Sequence, residues 1–471
     1  MRLTWVQPED LVRHELWQAA HEGRDPVARQ RIQDRWVAAG GAVDPPSGGA
    51  SPEVATMAQR ALAETLLLEL DDLPDPGAGD EPSDWLDILA ATPPDGAGSN
   101  AGSRVGSNAA GGGAAAYGPE LGERLRSAWL GRAVGCVLGK PVEKIPRAGI
   151  EEILRGTGRW PLERWFTAVG LDPEVAARWP WNRASRPTSL EENIDGAPED
   201  DDLNYTIMAL RVLEQHGADF TSDDVARGWL LDLPAGRSFT AERVAYRNLL
   251  DGLSPPWSAR VRNPFREWIG AQIRTDLYGW VNPGNPLRAA EWAWRDAAVS
   301  HTRNGLYGAM FVAAMASEAV TGSDIETVLD VGASVVPPQS RMASAIRFGR
   351  ELAVTTGEPV DAYAALEAEY ADLHWVHSLN NTALVAYALS LGAGDFDRSI
   401  CLAVMGGWDT DSNGATVGAV AGAVAGPEGI AARWTDPLRD RLSTSIPGAD
   451  GSSFGDLAAR TLAVAARVRH R

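Results

Sequence analysis

Apolar residues recur at helical spacing along most of the chain after residue 118. Leu203, Ile207, Leu210 and Leu213 fall on one helical face, and Gly217 stands where a helix C-cap is expected. Similar periods run through residues 120–138, 304–320, 323–335, 380–391 and 414–425. Strand-like alternation and βαβ spacing are scarce. The pattern therefore predicts a compact all-α domain.

The first 117 residues have a different pattern. Residues 1–91 carry short helical runs between Pro/Gly breaks, one opening at Pro8 and another spanning residues 51–71. Residues 92–117 are mostly Gly, Ala, Ser and Asn. Because such a segment has too little apolar surface to fold, it is predicted to be a flexible linker. We expect a small helical N-terminal region at 1–91, serving as an accessory or docking domain or a lid, and the main domain at 118–471.

Composition excludes several classes of protein. The formal net charge of −20 argues against general nucleic-acid binding. The chain has two cysteines, Cys136 and Cys401, so no disulfide framework is predicted. The first residues lack the apolar core of a signal peptide, and no apolar stretch is long enough to span a bilayer. These features predict a cytoplasmic protein without membrane association and leave its oligomeric state open.

The first candidate for chemistry is the acidic run Glu199-Asp200-Asp201-Asp202, just before a predicted helix. Adjacent carboxylates repel one another by roughly a kcal/mol or more per close pair. One interpretation is a solvated acidic cap, favoured by the helix dipole. The other is a divalent-cation site, because Mg²⁺, Mn²⁺ and Ca²⁺ prefer hard oxygen ligands.

The second candidate is Asp409-Thr410-Asp411-Ser412, preceded by Gly406, Gly407 and Trp408. Two carboxylates at i and i+2, followed by a hydroxyl, can point at one cation from a loop that enters a helix. Glycines recur every four residues in that helix, at positions 414, 418, 422 and 426, so another helix can pack closely. The alternative is an acid-started helix whose glycines serve packing alone.

Together these runs resemble the ADP-ribosylglycohydrolase family. The acidic run is similar to its T-D-D-T motif and residues 406–412 to its G-G-D-T-D-T motif, with Trp408 inserted. The family's opening G-x-x-x-G-D-A-L-G-x-P-x-E pattern is also matched, with Cys136 in place of its Asp; the matching positions are Gly131, Gly135, Leu138, Gly139, Pro141 and Glu143. A Ser300-His301 element and the stretch from Trp434 extend the likeness over residues 118–471. Glu199 and Cys136 depart from the pattern, which indicates a divergent member.

The resemblance implies an all-α hydrolase of ADP-ribosyl or related N- or O-ribosyl bonds. It also implies two Mg²⁺ ions, with Mn²⁺ as the other candidate, that orient the ribose and a water molecule. The ligands carried over are Glu199, Asp200, Asp201, Asp409, Asp411 and Ser412. Glu143 and Asp201 are the candidate catalytic acid or base. The expected partner is an ADP-ribosylated or ribosylated protein or small molecule.

Further residues are predicted to contact substrate. Ser300 and His301 precede Asn304 and Gly305, where the amides of a helix start are able to receive a phosphate. Trp280 and Asn282 lie in an aromatic, turn-rich loop that either lines the cleft or is a plain surface turn. Two alternatives to the hydrolase remain: a non-hydrolytic ADP-ribose- or nucleotide-binding protein, and a structural protein that keeps the fold.

Overall fold

The computed structural model describes residues 3–45, 49–51, 54–92 and 118–469. Apart from Thr92, the predicted linker at 92–117 lies outside these residues, as do Pro52 and Glu53. The described chain is 64% helical and contains isolated β-bridges but no strand, which confirms the all-α prediction. Among these residues no helix combines the length and the apolar character needed to span a bilayer.

Helices follow one another along the whole described chain, joined by short loops and 3₁₀ turns. In chain order they are α1 (Pro8–His21), α2 (Pro26–Ala38), α3 (Met57–Asp71), α4 (Trp85–Ala91), α5 (Pro119–Gly139), α6 (Arg147–Gly156), α7 (Pro173–Arg178), α8 (Arg186–Ser189), α9 (Asp201–His216), α10 (Ser222–Asp232), α11 (Thr240–Leu250), α12 (Trp257–Arg260), α13 (Asp276–Trp280), α14 (Pro286–Ala297), α15 (Asn304–Ala319), α16 (Ile325–Ser334), α17 (Arg341–Thr355), α18 (Pro359–Glu369), α19 (Ser378–Gly392), α20 (Phe396–Met405), α21 (Thr410–Ala425), α22 (Ala432–Thr435) and α23 (Phe454–Val468).

Helix starts follow local capping chemistry more closely than the apolar period. Helix α3 begins at Met57 and not near Ser51, because Thr56 and Gln59 form a capping box there. Helix α21 begins at Thr410, earlier than its apolar run, so the second acidic motif forms its first turn. Helix α9 begins at Asp201 with Asp200 as its N-cap.

The central contact of the fold is the packing of α5 against α21. A Cβ added at Gly135 would lie 1.8 Å from the carbonyl oxygen of Gly414, and one at Gly131 would lie 2.2 Å from that of Gly418. The two backbones therefore approach at a distance that only glycine allows. Since the helices are fixed this closely, the start of α21 lies against the end of α5, where a Cβ at Gly139 would lie 2.2 Å from the oxygen of Thr410.

The N-terminal region packs against the main domain through buried ion pairs. Arg266 donates to Glu15 (2.7 Å) and to Glu22 (2.8 Å), both on or next to α1. Arg303 and Arg341 bond Glu81, which lies just before α4. Buried apolar residues of α1 and α3 belong to the same hydrophobic cluster as those of α5. The two regions thus share one core in the described chain.

Candidate active site

The first acidic motif is placed by the N-terminus of α9. The backbone N–H of Asp202 donates to Asp200 Oδ1 (2.9 Å), which fixes the cap. Lys140 Nζ donates to the other oxygen of Asp200 and to the carbonyl of Glu199 (3.1 Å). Both carboxylate oxygens of Asp200 therefore already have a partner within the protein.

Asp202 is held in a similar way. Arg132 donates to its backbone carbonyl (3.0 and 2.8 Å) and approaches its carboxylate at 3.3 Å. Ser412 Oγ donates to Asp202 Oδ2 (3.1 Å), which joins the two acidic motifs. Both Asp202 and Arg132 are buried.

The second acidic motif occupies the first turn of α21. Gly407 and Trp408 both have positive φ (82° and 59°), so the chain turns sharply before Asp409. Asn381 Oδ1 accepts from the N–H of Asp409 (3.3 Å) and from Asn413 Nδ2 (2.7 Å), which fixes this turn against α19. The N–H of Ser412 donates to Asp411 Oδ1 (3.1 Å).

The turn after α5 adds Glu143 to the second motif. One oxygen each from Glu143, Asp409 and Asp411 lie within 4.8 Å of one another. Asn182 Nδ2 donates to Glu143 Oε2 (2.7 Å), and Lys144 Nζ lies 2.9 Å from Glu143 Oε1. Three carboxylates thus converge on one point from two distant parts of the sequence.

All these acids line one cleft of about 520 Å³, a size typical of small-molecule sites. The predicted metal-binding and catalytic residues that the structure brings to it are Glu143, Glu199, Asp200, Asp201, Asp409, Asp411 and Ser412. Apolar and aromatic residues complete its lining; they are Trp5, Phe239, Ile269, Ile273, Trp375 and Val376.

Charge within the cleft is unevenly compensated. Burial alone would raise the pKa of Asp200, but the Lys140 ammonium and the N–H of Asp202 together outweigh it, and the pKa is lowered. The pKa of Asp201 is raised well above its usual range by burial and then by Asp200 and Asp411. The described side chains offer Asp201 no hydrogen-bond donor, so its carboxyl faces the cleft unpaired.

Carboxylates also repel one another in the second motif. Burial, and next the charge of Asp411, raises the pKa of Asp409 well above its usual range. Burial, followed by Glu143 and Asp200, raises the pKa of Asp411 to about 7. A bound cation would relieve this repulsion.

The donor chemistry separates two possible metal positions. Glu143, Asp409 and Asp411 offer oxygen alone, the set that Mg²⁺ or Mn²⁺ prefers. Cys136, Asp200 and Asp202 also lie within ligand distance of one another, but burial and then Asp200 raise the pKa of the Cys136 thiol. A protonated thiol is a poor ligand for a hard cation. The residues of the second motif therefore fit a divalent cation best.

Six residues predicted to bind substrate lie elsewhere. Trp280 is fully buried against the ring of Trp129, and Asn282 donates to the carbonyl of Tyr278 (2.8 Å). The other four are Ser300, His301, Asn304 and Gly305, none of which lines the cleft.

The Ser300-His301 pair forms part of the protein interior. Ser300 Oγ accepts from Arg274 (2.9 Å) and lies 2.8 Å from His301 Nδ1. His301 borders a separate, smaller cavity of about 200 Å³. Asn304 donates to Glu267 (2.6 Å), and Gly305 packs against the backbone of Arg266.

Several residues that line the cleft are not among the predicted site residues. Lys140 stands at a variable position of the opening motif, where its charge is the signal that would have marked it. Asp202 belongs to the acidic run. Arg237 and Glu242 reach the cleft from loops and helix starts with no motif. Trp5 comes from the N-terminal region.

One comparison, with protein-family models, agrees with the motifs. The ADP-ribosylglycohydrolase family model matches residues 118–469. A protein of Archaeoglobus fulgidus named "Uncharacterized protein" is 28% identical over 328 residues, which are 68% of this chain and 92% of that protein. A solved structure named "ADP-ribosylglycohydrolase-related protein complex" is 23% identical, covering 74% of this chain and 98% of its own, with a TM-score of 0.45. Because the family match extends over well more than half of the residues, the chain belongs to the ADP-ribosylglycohydrolase family.

Proposed function

We propose that this protein hydrolyses the N- or O-ribosyl bond of an ADP-ribosyl group or a related riboside, with the help of divalent cations. The observation that carries this proposal is the convergence of Asp200, Asp201, Asp409, Asp411 and Glu143 in one cleft. Membership of the ADP-ribosylglycohydrolase family supports the same reaction class.

Mg²⁺ or Mn²⁺ is the proposed cofactor. Glu143, Asp409 and Asp411 would hold one ion. A second ion, on Asp200 and Asp201 with the Ser412 hydroxyl, would share Asp200 with the Lys140 ammonium that already donates to it. Glu199 is paired with Arg237 and accepts hydrogen bonds from Asn204 and Ser445. We therefore propose that it stabilises the cleft wall and does not bind a cation directly. When bound, such cations orient ribose hydroxyls and offset negative charge on oxygen.

Asp201 is the proposed proton-transferring residue, since its carboxyl lies in the cleft without a hydrogen-bond partner among the described residues. In its ionised form it takes a proton from the water that attacks the anomeric carbon. The bond from that carbon to the leaving nitrogen or oxygen breaks, and Asp201 passes the proton that it took from the water to the leaving group. Glu143 is the alternative base, although Asn182 and Lys144 already engage both of its oxygens.

The proposal is tested by incubating the protein with peptides that carry ADP-ribose on arginine or on serine, in the presence of Mg²⁺. We expect free ADP-ribose by chromatography, with loss of product after chelation and in Asp201→Asn. ADP-ribose that binds in calorimetry while neither peptide is cleaved would favour the non-hydrolytic alternative. Neither binding nor product would contradict the proposed function altogether.

The proposed catalytic domain spans residues 118–471, and its proposed partners are ADP-ribosylated proteins or small ribosides. Trp5, in the N-terminal region at residues 1–91, lines the same cleft.

A further inference from the structure

The N-terminal region lies outside the family match at 118–469, yet it reaches the candidate active site. Trp5 lines the same cleft as Asp200, Asp409 and Asp411. The cleft is thus completed by a segment that the family pattern does not describe.

Trp5 is held firmly in place. Its φ of 63° lies in the left-handed region, which costs a bulky residue energy and is sustained by surrounding contacts. The backbone N–H of Trp5 donates to the backbone carbonyl of Gly49 (2.7 Å). Its ring packs edge-on against Phe265 (centroids 5.5 Å apart) and Trp268 (5.8 Å). A fixed aromatic ring at a cavity wall is suited to contact a ligand at low entropic cost.

The neighbouring Thr4 is tied to another wall of the cleft. Arg243 donates to the carbonyl of Thr4 (3.0 Å) and to its hydroxyl (2.9 Å). The same guanidinium donates to the carbonyl of Gly236 (3.3 Å), next to the cleft residue Arg237. One buried arginine therefore links the N-terminal segment to the loop that carries Arg237 and Phe239.

Trp5, Phe239 and Trp375 give the cleft aromatic lining in addition to its acidic residues. The carboxylates suit a ribose and cations, whereas rings suit a planar apolar group.

We propose that Trp5 is a specificity-determining residue and that the N-terminal region forms part of the substrate site. Trp5 contacts a planar, aromatic part of the substrate beyond the ribose, such as a base. This inference rests on the proposed function, because it assumes that the acidic residues bind the ribose.

The chain contains a matched control for Trp5. Trp36 in α2 is also a buried tryptophan of the N-terminal region, and its Nε1 donates to the carbonyl of Ala42 (2.8 Å). Each ring has a glycine against it: a Cβ at Gly49 would lie 2.4 Å from Trp5, and one at Gly41 would lie 2.0 Å from Trp36. Trp36 does not line the cleft.

The test measures binding of ADP-ribose and of ribose 5-phosphate, each with Mg²⁺, by calorimetry to the full chain. We expect Trp5→Ala to weaken ADP-ribose binding about tenfold and to leave ribose 5-phosphate within about twofold. Trp5→Phe should retain most of the affinity, and Trp36→Phe should retain all of it. Thermal unfolding of each variant identifies any that fails to fold.

If Trp5→Ala fails to fold, Gly49→Ala displaces the ring and Gly41→Ala serves as its control. Equal losses in the Trp5 and Trp36 variants, equal losses for both ligands, or no loss would overturn the role of Trp5. If the unaltered protein binds neither ligand, the proposed function fails, and this inference fails with it.

Discussion

Two groups of buried carboxylates in this protein have different surroundings. Between the N-terminal region and the main domain, Glu15 and Glu22 both face Arg266. In the cleft, Asp409 and Asp411 face each other and Glu143. Acids of the first region have cations supplied by the protein itself.

The pKa values follow these surroundings. Burial alone would raise the pKa of Glu22, but Arg266, Arg24 and Arg303 together outweigh it, and the pKa is lowered. The pKa of Asp409 is raised by burial and by Asp411. Acids paired with arginine hold the fold together, whereas acids that face one another are suited to a cation from solution. This contrast yields predictions in both regions.

The largest expected effect is in the cleft. Asp411→Asn should lower kcat/KM about ten-thousandfold, about 5.5 kcal/mol in the barrier, and abolish tight divalent-cation binding in calorimetry. The reason is that an amide cannot balance the charge of a cation held with Glu143 and Asp409. Asp324→Asn is the matched control: Asp324 caps α16 (2.9 Å to the N–H of Thr327), and asparagine caps as well. If Asp411→Asn binds the cation as tightly as the unaltered protein, Asp411 is not a metal ligand.

The next effect is at the interface. Arg266→Met should lower the free energy of unfolding by about 3 to 5 kcal/mol, because Glu15 is left buried without a cation and Glu22 keeps only Arg24 and Gln18 as hydrogen-bond partners. Denaturant unfolding measures the change. Arg35→Met is the control, since its pair with Glu69 is roughly half exposed and should contribute less than about 1 kcal/mol.

Where Arg266→Met does not fold, adding Glu15→Gln should recover part of the stability, because it removes the buried charge that has lost its partner. An unchanged free energy of unfolding in Arg266→Met would show that these ion pairs do not stabilise the packing of the N-terminal region. It would contradict the structural role assigned to the interface acids.

An intermediate effect is the pH dependence of cation binding. The pKa of Asp411 is raised to about 7, so below that pH a cation must displace a proton from it. Affinity should fall as the pH is lowered through about 7, by about tenfold per unit for the proton on Asp411 and more steeply where Asp409, whose pKa is also raised, must lose a proton as well. Calorimetry in buffers of different protonation enthalpy measures the protons released.

Binding is a better readout than stability here, because several groups titrate in the same range. Between about pH 4 and pH 7 the cation-free folded protein binds more protons at Asp411 than the unfolded chain, so this group lowers stability as pH rises. Asp71, whose pKa burial and Glu15 also raise to about 7, adds to that loss. His374, whose pKa burial lowers to about 3, acts in the opposite direction. Asp71→Asn should leave the pH slope of cation binding unchanged, and a changed slope would mean that the slope does not arise in the cleft.

The sequence predicts the helices that carry the acidic motifs and the close packing of another helix against the glycines of α21. Apolar periods predict α9 and α21, and the two acidic runs predict which carboxylates meet, since both signals are local. The predicted glycine packing is also observed, at Gly414 and Gly418 against α5.

Long-range partners are the part that sequence does not predict. Periodicity indicates which helical face is buried but not what packs against it. The pairing of Lys140 with Asp200, and the arrival of Trp5 in the cleft, depend on contacts between distant segments. Ser300 and Asn304 resemble ligand-binding residues in sequence, yet they bond Arg274 and Glu267 in the interior.

The smallest expected effect concerns Glu199, which lines the cleft but is paired like an interface acid. Its Oε2 lies 2.9 Å from Arg237 Nη1, and its Oε1 accepts from Asn204 (3.1 Å) and Ser445. Glutamine retains the shape and much of this bonding. Glu199→Gln should therefore change cation affinity and kcat/KM by less than about threefold, consistent with about 0.2 to 1 kcal/mol for a partly exposed ion pair.

Asp200→Asn is the comparison for Glu199→Gln, since it alters the neighbouring acid of the same run and should cost far more. A loss above about tenfold in Glu199→Gln would mean that Glu199 gives up Arg237 to bind the cation directly, as its place in the acidic run predicts. The contrast between acids paired with arginine and acids that face one another would then still separate the interface from the cleft. Within the cleft it would fail, because an acid with a protein partner would also bind the cation.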